Sequence, residues 1–474
     1  MRIPRQEMPV QDAGVRRGNY DEVALGFTPE LARQEAERCL QCPKPRCVEG
    51  CPVGVDIPGF VEALRAGDMQ RAVRAMKAMN SLPAICGRVC PQEVQCEQVC
   101  VLAKKGQPVG IGRLERYVGD WELAERTYAL DRAPSTGKRV AVVGSGPAGL
   151  TCAVAVARQG HTVTVFESLH APGGVLTYGI PEFRLPKRVV NGEIQYAMES
   201  LGIEMCADHV IGRTLTLAEL LAQYDAVFLG TGAGLPSFMD IPGINYNGVM
   251  SANEFLTRVN LMKGYSFPEY DTPVKVGRRV AVVGAGNVAM DAARCSLRLQ
   301  ESRQAAGEVH IVYRRSRDEV PARAEEVHHA EEEGIIFDFL TNPVEVLGDA
   351  GGSVTGMRCI RMELGEPDAS GRRRPVPVAG SEFEMPVDTV IFALGTSPNP
   401  LVFVGADGLR RSKWGTVVAD EEKGRTTTAR VWAGGDVVTG AATVVSAMGA
   451  GRRAAADINA YLRGELDPWS SAAA

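Results

Sequence analysis

Eight of the twelve cysteines stand in two groups near the start of the chain, Cys39-x2-Cys42-x4-Cys47-x3-Cys51-Pro and Cys86-x3-Cys90-Pro-x4-Cys96-x3-Cys100. An iron–sulfur cube takes four thiolates that converge from several directions, and short loops broken by a proline after a cysteine supply them. Eight thiols make two such sets without remainder. Structural zinc, held by paired C-x₂₋₄-C knuckles, and plain free thiols are the alternatives. The Cys-Pro endings and the nucleotide modules further on favour two [4Fe–4S] clusters. The other four, Cys152, Cys206, Cys295 and Cys359, lie in apolar stretches and read as small core residues.

A second kind of chemistry is written in glycine. Gly144-Ser-Gly146-Pro-Ala148-Gly149 follows an apolar strand and opens an apolar helix. Such a loop brings backbone N–H groups up to a pyrophosphate at a helix N-terminus. Glu167 ends the next strand, where a carboxylate accepts from a ribose 2′-hydroxyl and repels a 2′-phosphate. This site suits FAD, or NAD, and the pair Gly173–Gly174 extends the FAD reading. Gly284-Ala-Gly286-Asn287-Val-Ala289 is a second fingerprint. At its matching strand end stands Tyr313-Arg314-Arg315-Ser316 in place of an acid. Guanidinium groups bind a phosphate dianion in a fork, so Arg314 and Arg315 are expected to select NADPH over NADH; the plainer reading makes them solvent-facing charges. Asp436, after Gly434 and Gly435, can reach the ribityl or pyrophosphate part of FAD.

These residues need scaffolds, and the pattern supplies them. To about residue 125 the apolar spacing is helical, with a break near Gly67–Asp68; Met76 and Met79 read as core filler. A linker at 133–137 follows. Arg139-Val-Ala-Val-Val143, a glycine loop, a helix and His161-Thr-Val-Thr-Val-Phe166 then form a βαβ unit, which recurs from Arg279-Val-Ala-Val-Val283 to Tyr313. Two copies of one nucleotide-binding module are thus the main repeat. Residues 226–232 and 390–396 are strands ending in Gly-Thr that pass the chain between modules, and a helix over 442–459 aims its N-terminus at the same cofactor as Asp436. Residues 348–353 and 371–375 read as hairpin loops, 372–374 as a solvated face, and 469–474 as a frayed tail.

The 474 residues are 45% hydrophobic and 23% charged, with net charge -5. That is long enough for about three domains and lacks the basic field that gathers nucleic acid or anionic lipid. No signal-peptide core and no membrane-length apolar run is present, so a cytoplasmic location is expected, where clustered cysteines point to metal rather than disulfides.

Taken in order, the eight cysteines, the FAD fingerprint, Gly179-Ile-Pro-x-Phe-Arg184, Gly-Thr-Gly, the NADPH fingerprint with Asn287, Tyr-Arg-Arg and Gly-Gly-Asp resemble the small subunit of NADPH-dependent glutamate synthase and its relatives, from about residue 38 to 462. The resemblance implies an α/β fold: two Rossmann-type domains, arranged as in glutathione-reductase-like flavoproteins, preceded by an all-α iron–sulfur domain. It implies a helical domain over 1–130, a discontinuous FAD domain over 138–245 and 386–474, and an NADPH domain over 246–385. One cluster would take Cys39, Cys42, Cys47 and Cys100, the other Cys51, Cys86, Cys90 and Cys96. Gly179 would begin the segment beside the isoalloxazine ring. Hydride would pass from NADPH to FAD and single electrons through the clusters, with no side-chain acid–base pair.

The partner implied is a large glutamate synthase subunit carrying the glutaminase and FMN sites. Met1 is followed by Arg2, so trimming would expose no cysteine nucleophile, and no domain remains for 2-oxoglutarate. A close relative is the large subunit of the electron-bifurcating NADH-dependent reduced ferredoxin:NADP oxidoreductase, which implies a small flavoprotein or ferredoxin partner. There a carboxylate replaces one cluster cysteine; Glu93 and Glu115 are the candidates, although both read first as ordinary exposed residues. The reductase part of pyrimidine-degrading dehydrogenases is less similar, since it lacks a cysteine of the second group where this chain has Cys86. A homo-oligomer is compatible with either role. His328–His329, in an acidic helical run, read as exposed rather than catalytic.

Overall fold

The repeated string Arg-Val-Ala-Val-Val forms the central strand of two separate five-stranded parallel sheets. A computed structural model describes residues 3–303, 307–368, 371–467 and 469. In the first sheet the strands run in the order Val431–Ala433, Ala226–Leu229, Arg139–Val143, Thr162–Phe166, Glu204–Cys206. In the second they run Val249–Ser251, Thr389–Phe392, Arg279–Val283, Glu308–Tyr313, Ile336–Phe339. Each central strand has four consecutive buried apolar residues, as expected when both faces of a parallel sheet are covered.

Alternate residues serve the two faces. Val140 and Val142 meet Cys152, Val156 and Ile458 on one side of the first sheet, while Ala141 and Val143 meet Leu217 and Leu220 on the other. In the second sheet Val280 and Val282 pack on helix Asn287–Ser302. Ala281 and Val283 pack toward Met357 and Cys359, in an antiparallel layer where Thr341–Gly348 pairs with Val354–Pro367 across the expected turn at 348–353. All four cysteines outside the two groups lie in these strands or helices, and Cys152, Cys295 and Cys359 are buried.

The first part of the chain is helical. Pro29–Ala36, Ile57–Arg65, Met69–Lys77, Pro83–Val89 and Ile111–Glu125 enclose a core that includes Phe60, Val73, Met76 and Leu114. Asp68 accepts from the Arg71 N–H at 2.9 Å and so restarts the chain after the break at Gly67.

Three expectations need correction. The boundary at residue 386 falls too early, because Thr389–Phe392 belongs to the second sheet and pairs with Arg279–Val283. Segment 10–24 does not stay with the helical domain: Val23 donates to the Phe183 carbonyl at 2.9 Å and packs in the second module's core. Trp469 is not frayed, since its ring stands edge-on to Trp432 at 4.9 Å; residues 470–474 lie outside the described residues. Among the described residues, no helix is long and apolar enough to cross a membrane.

Candidate cofactor sites

The two cysteine groups do not fold into two sites in chain order. Cys39, Cys42, Cys47 and Cys100 line one apolar recess with Ile57 and Val61. Cys51, Cys86, Cys90 and Cys96 gather around Glu115, close enough for its charge to act on all four thiols. Cys100 thus stands with three thiols of the first group, and Cys51 with three of the second. Helix Pro83–Val89 carries Cys86 and ends on Cys90. Burial pushes the Cys39 and Cys51 thiols up, and the Cys47 thiol up to about 11, so they stay protonated unless a metal displaces the proton. Among the described residues, no three His, Cys, Asp or Glu side chains close on a point where one ion would sit; thiolates on a four-iron cube stand further apart than the ligands of a single ion.

Glu115 is not an exposed residue. It is 8% exposed, accepts from Asn80 Nδ2 at 2.7 Å, and burial pushes its carboxyl up to about 8. Glu93 is exposed and turns away from the thiols, accepting from the Ala324 N–H at 3.1 Å.

The first glycine loop separates packing from binding. Gly144 has φ +95°, and a Cβ there would lie 2.4 Å from the Gly230 carbonyl oxygen; one on Gly149 would lie 1.8 Å from that of Gly144. A Cβ on Gly146 would meet nothing within 4 Å. Gly146 also begins helix Pro147–Ala157 with no side-chain cap, so the helix N–H groups face open space, as an anion site requires. Glu167 is buried and accepts from the Ser145 N–H at 2.9 Å, the Ser145 hydroxyl at 2.5 Å and the Leu169 N–H at 2.9 Å. Gly174, with φ +55°, comes against Gly146. Gly435 comes against Ala148, and Asp436 follows it, accepting from the Ala442 N–H at 3.3 Å. Burial pushes the Asp436 carboxyl up to about 6 and the Tyr178 phenol up to about 12, the latter also through Asp436 and Glu167. The loop, both carboxylates and Tyr178 therefore surround one place.

One residue there, Asn260, had no sequence signal, and another, Arg184, stood only as the end of the Gly179–Arg184 motif. Asn260 donates to the Gly179 carbonyl at 3.0 Å. Arg184 grips both oxygens of Asp291 at 2.8 Å and stands 3.0 Å from Glu326, tying the segment after Gly179 to helix Asn287–Ser302.

The second loop repeats the arrangement. Gly284 has φ +125° and no room for a Cβ beside the Ala393 carbonyl oxygen, whereas Gly286 opens onto free space. Ala289 is fully buried, and Asn287 Oδ1 accepts from the Arg323 N–H at 2.8 Å. The two arginines do not act alike. Arg314 is exposed. Arg315 is 6% exposed and already engaged, its Nε donating to the Arg373 carbonyl at 2.8 Å and its Nη2 to Asp368. The histidine pair also divides: His328 is exposed, and His329 is buried.

A cavity of about 500 Å³ lies elsewhere, between the helical domain and the second module. Arg5, Arg88, Arg113, Arg323, Glu97 and Glu326 line it, mostly paired with one another or with their neighbours.

Residues 16–127 match the family described as dihydropyrimidine dehydrogenase domain II, 4Fe-4S cluster, and residues 138–451 match the pyridine nucleotide-disulphide oxidoreductases. With two open dinucleotide loops behind a thiol-rich helical domain, the fold and sites define an NADPH-dependent FAD oxidoreductase with a 4Fe–4S domain. Within that class the chain belongs to the family of the glutamate synthase [NADPH] small chains: it is 38% identical to that of Halomonas elongata, over 97% of each. It is also 39% identical to the NADP(+)-dependent formate dehydrogenase subunit beta of Moorella thermoacetica, over 89% of this chain but only 62% of that longer one. FprA of Mycobacterium tuberculosis in complex with NADPH shares the fold, with a TM-score of 0.58 at 21% identity over 71% of this chain and 86% of the other.

Proposed function

We propose that this chain is the electron-input subunit of a cytoplasmic glutamate synthase, serving the conversion of glutamine, 2-oxoglutarate and NADPH into two glutamates on a partner that carries the glutaminase and FMN sites. Bound flavin supplies the change from hydride to single-electron chemistry. The chain's own residues position it. Gly144, Gly146, Ala148 and Gly149 form the pyrophosphate turn, Glu167 selects an unphosphorylated ribose, and Gly174, Gly179, Gly435 and Asp436 close around the rest. Gly284, Gly286 and Asn287 shape the NADPH turn, and Arg314 is the guanidinium left to read the 2′-phosphate. Cys39, Cys42, Cys47 and Cys100 hold one cluster; Cys51, Cys86, Cys90 and Cys96 hold the other.

One observation carries this reading. Helix Val444–Leu462 touches both the FAD loop and the second thiol set: Gly451 leaves no room for a Cβ against the Ala148 carbonyl oxygen, and Cys86 Sγ lies 3.5 Å from Met448 Sδ. Flavin and cluster are thereby neighbours through a single rigid element.

The test is anaerobic NADPH oxidation by the holoprotein combined with a large glutamate synthase chain. Consumption that requires both glutamine and 2-oxoglutarate is expected. Its absence, with NADPH still bleaching the flavin, sinks the glutamate synthase role. Buried Glu115 among the thiols favours a second reading, the large subunit of an electron-bifurcating ferredoxin:NADP oxidoreductase. That reading requires turnover only with a small flavoprotein and ferredoxin.

A further inference from the structure

The cavity between the helical domain and the second module, about 500 Å³, has the size of a small-molecule site. Neither glycine loop lines it, nor do Glu167, Tyr178, Asp436 or any cysteine, so it is distinct from the cofactor sites described above. Met8, Val10 and Phe183 give it apolar surface. Glu7 and His328 stand exposed among its lining, and it opens to solvent there.

Its charges do not cancel completely. Glu97 meets Arg5 at 2.6 Å, Glu325 meets Arg323 at 2.7 Å, and Glu326 stands 3.0 Å from Arg184. Glu332 meets Arg16 at 2.6 Å, and Glu93 accepts from the Ala324 N–H at 3.1 Å. Those carboxylates are therefore engaged. Arg88 and Arg116 share Glu22 and Asp120 between them. Arg113 is the exception. It donates to the Gln6 carbonyl, and the one carboxylate it pairs with, Glu7, is 3.8 Å away and 80% exposed. Burial, and then the like charge of Arg5, push the Arg113 guanidinium below its ordinary range. A cation set into a wall without a close counter-ion calls for an anion.

The facing wall supplies a second group. His329 is 6% exposed and lines the cavity, and its ring forms no hydrogen bond among the described residues. Buried polar side chains are paired in the large majority of cases. Burial lowers the imidazole pKa, so the ring is neutral near pH 7 and has one N–H to donate. The charge of Glu325 acts on both Arg113 and His329, which sets the two around one space.

We infer that this cavity is a binding site for a small organic carboxylate, gripped by the Arg113 guanidinium and by a ring N–H of His329, with its carbon body against Met8 and Phe183. One unspent positive charge matches one negative charge, and the carboxylates already on the wall repel a phosphate dianion. The ligand bridges helix Ile111–Glu125 of the helical domain and helix Ala324–Glu332 of the second module. Arg323, beside it, donates its N–H to Asn287 of the NADPH turn at 2.8 Å, so the site adjoins that turn. The assignment is independent of the partner that the chain serves.

The experiment is calorimetric titration of the full-length holoprotein, with NADP+ present to fill the second glycine loop. The probes are benzoate, its uncharged isostere benzamide, and inorganic phosphate. Benzoate is expected to bind saturably and about tenfold more tightly than benzamide, the effect of a charge-assisted contact. Arg113→Gln should weaken benzoate about tenfold and His329→Leu about fivefold, with flavin and iron contents unchanged. Absence of saturable benzoate binding, or benzoate and benzamide binding alike, overturns the proposal. So does benzoate binding that neither variant weakens. Phosphate binding more tightly than benzoate overturns the carboxylate assignment. Should Arg113→Gln fail to fold, the benzoate–benzamide difference in the wild type and its decrease in His329→Leu decide the question.

Discussion

The Cys86 thiol lies 3.5 Å from the Met448 thioether, and this contact joins the helical domain to the helix that packs on the FAD loop. Next to it, a Cβ on Gly449 would fall 2.6 Å from the Pro52 carbonyl oxygen. The domains are therefore fitted at backbone distance. Cys86→Ser should keep FAD and lose one cluster of two, about half the iron. Iron and flavin assays on the same sample check this; full iron retention would remove Cys86 from the ligand set.

The glycines of the first loop should fail in different ways. Gly146→Ala adds a methyl group that meets no protein atom within 4 Å, so the chain should fold with an ordinary melting temperature and lose FAD. Gly149→Ala forces a Cβ to 1.8 Å from a backbone oxygen, and should cost about 1–3 kcal/mol of stability or more. Flavin content and thermal melting separate the two outcomes. Equal flavin retention in Gly146→Ala and the wild type would mean that the open space is not the pyrophosphate cradle.

Arg314 and Arg315 should also separate. Arg314→Ala is expected to weaken NADPH relative to NADH by about 1.5–3 kcal/mol, the worth of a hydrogen bond to a charged group. Arg315→Ala breaks the contacts to Asp368 and the Arg373 carbonyl, and its main effect should be on melting temperature. Titration of both nucleotides into each variant decides the matter. A similar loss of NADPH and NADH in Arg314→Ala would rule out 2′-phosphate recognition there.

Arg16 anchors the segment before the helical domain to the second module. It is 1% exposed and stands 2.9 Å from Glu333, which also meets Arg294 at 2.8 Å and Arg298 at 2.7 Å. Burial alone would raise the Glu333 carboxyl, but Arg294 and Arg298 outweigh it and hold the group well below the usual carboxylate range. Arg16→Ala should cost about 3 kcal/mol, since truncating one member leaves buried charge behind. Arg463→Ala, at an exposed pair with Glu465, should cost less than about 1 kcal/mol. Denaturant melts and faster proteolysis of residues 3–28 in Arg16→Ala would report the release.

His310 gives the second module a pH dependence. Its Nδ1 lies 2.7 Å from Asp338 Oδ2, and that hydrogen bond raises the imidazole pKa. A raised histidine pKa means stabilisation that is complete below the unfolded value of about 6.5 and is lost as pH climbs through the folded value. Asp338→Asn should therefore destabilise by about 1 kcal/mol near pH 6 and by less near pH 8.5. A constant difference between the melting curves across that range would contradict the pairing.

The residues by themselves determined the parts of this protein whose conformations are local. A glycine spacing that permits φ of +95° or +125°, a run of apolar residues that fits a strand covered on both faces, and Cys-Pro turns all follow from a few neighbouring positions. Both nucleotide loops and the eight thiols were legible for that reason. Tertiary structure decided what depends on distant surfaces meeting. Arg315 looks like Arg314 until the strand after residue 367 brings Asp368 and Arg373 to it. Glu115 reads as an ordinary helical acid until helix Ile111–Glu125 turns it among four cysteines from two groups. His329 differs from His328 only in which side of its helix is covered. Asn260 lies 81 positions from Gly179, and no pattern of neighbours marks it. Burial and hydrogen-bond partners are properties of the packed whole, so burial and pairing at these four residues were settled only when segments distant in the chain packed together.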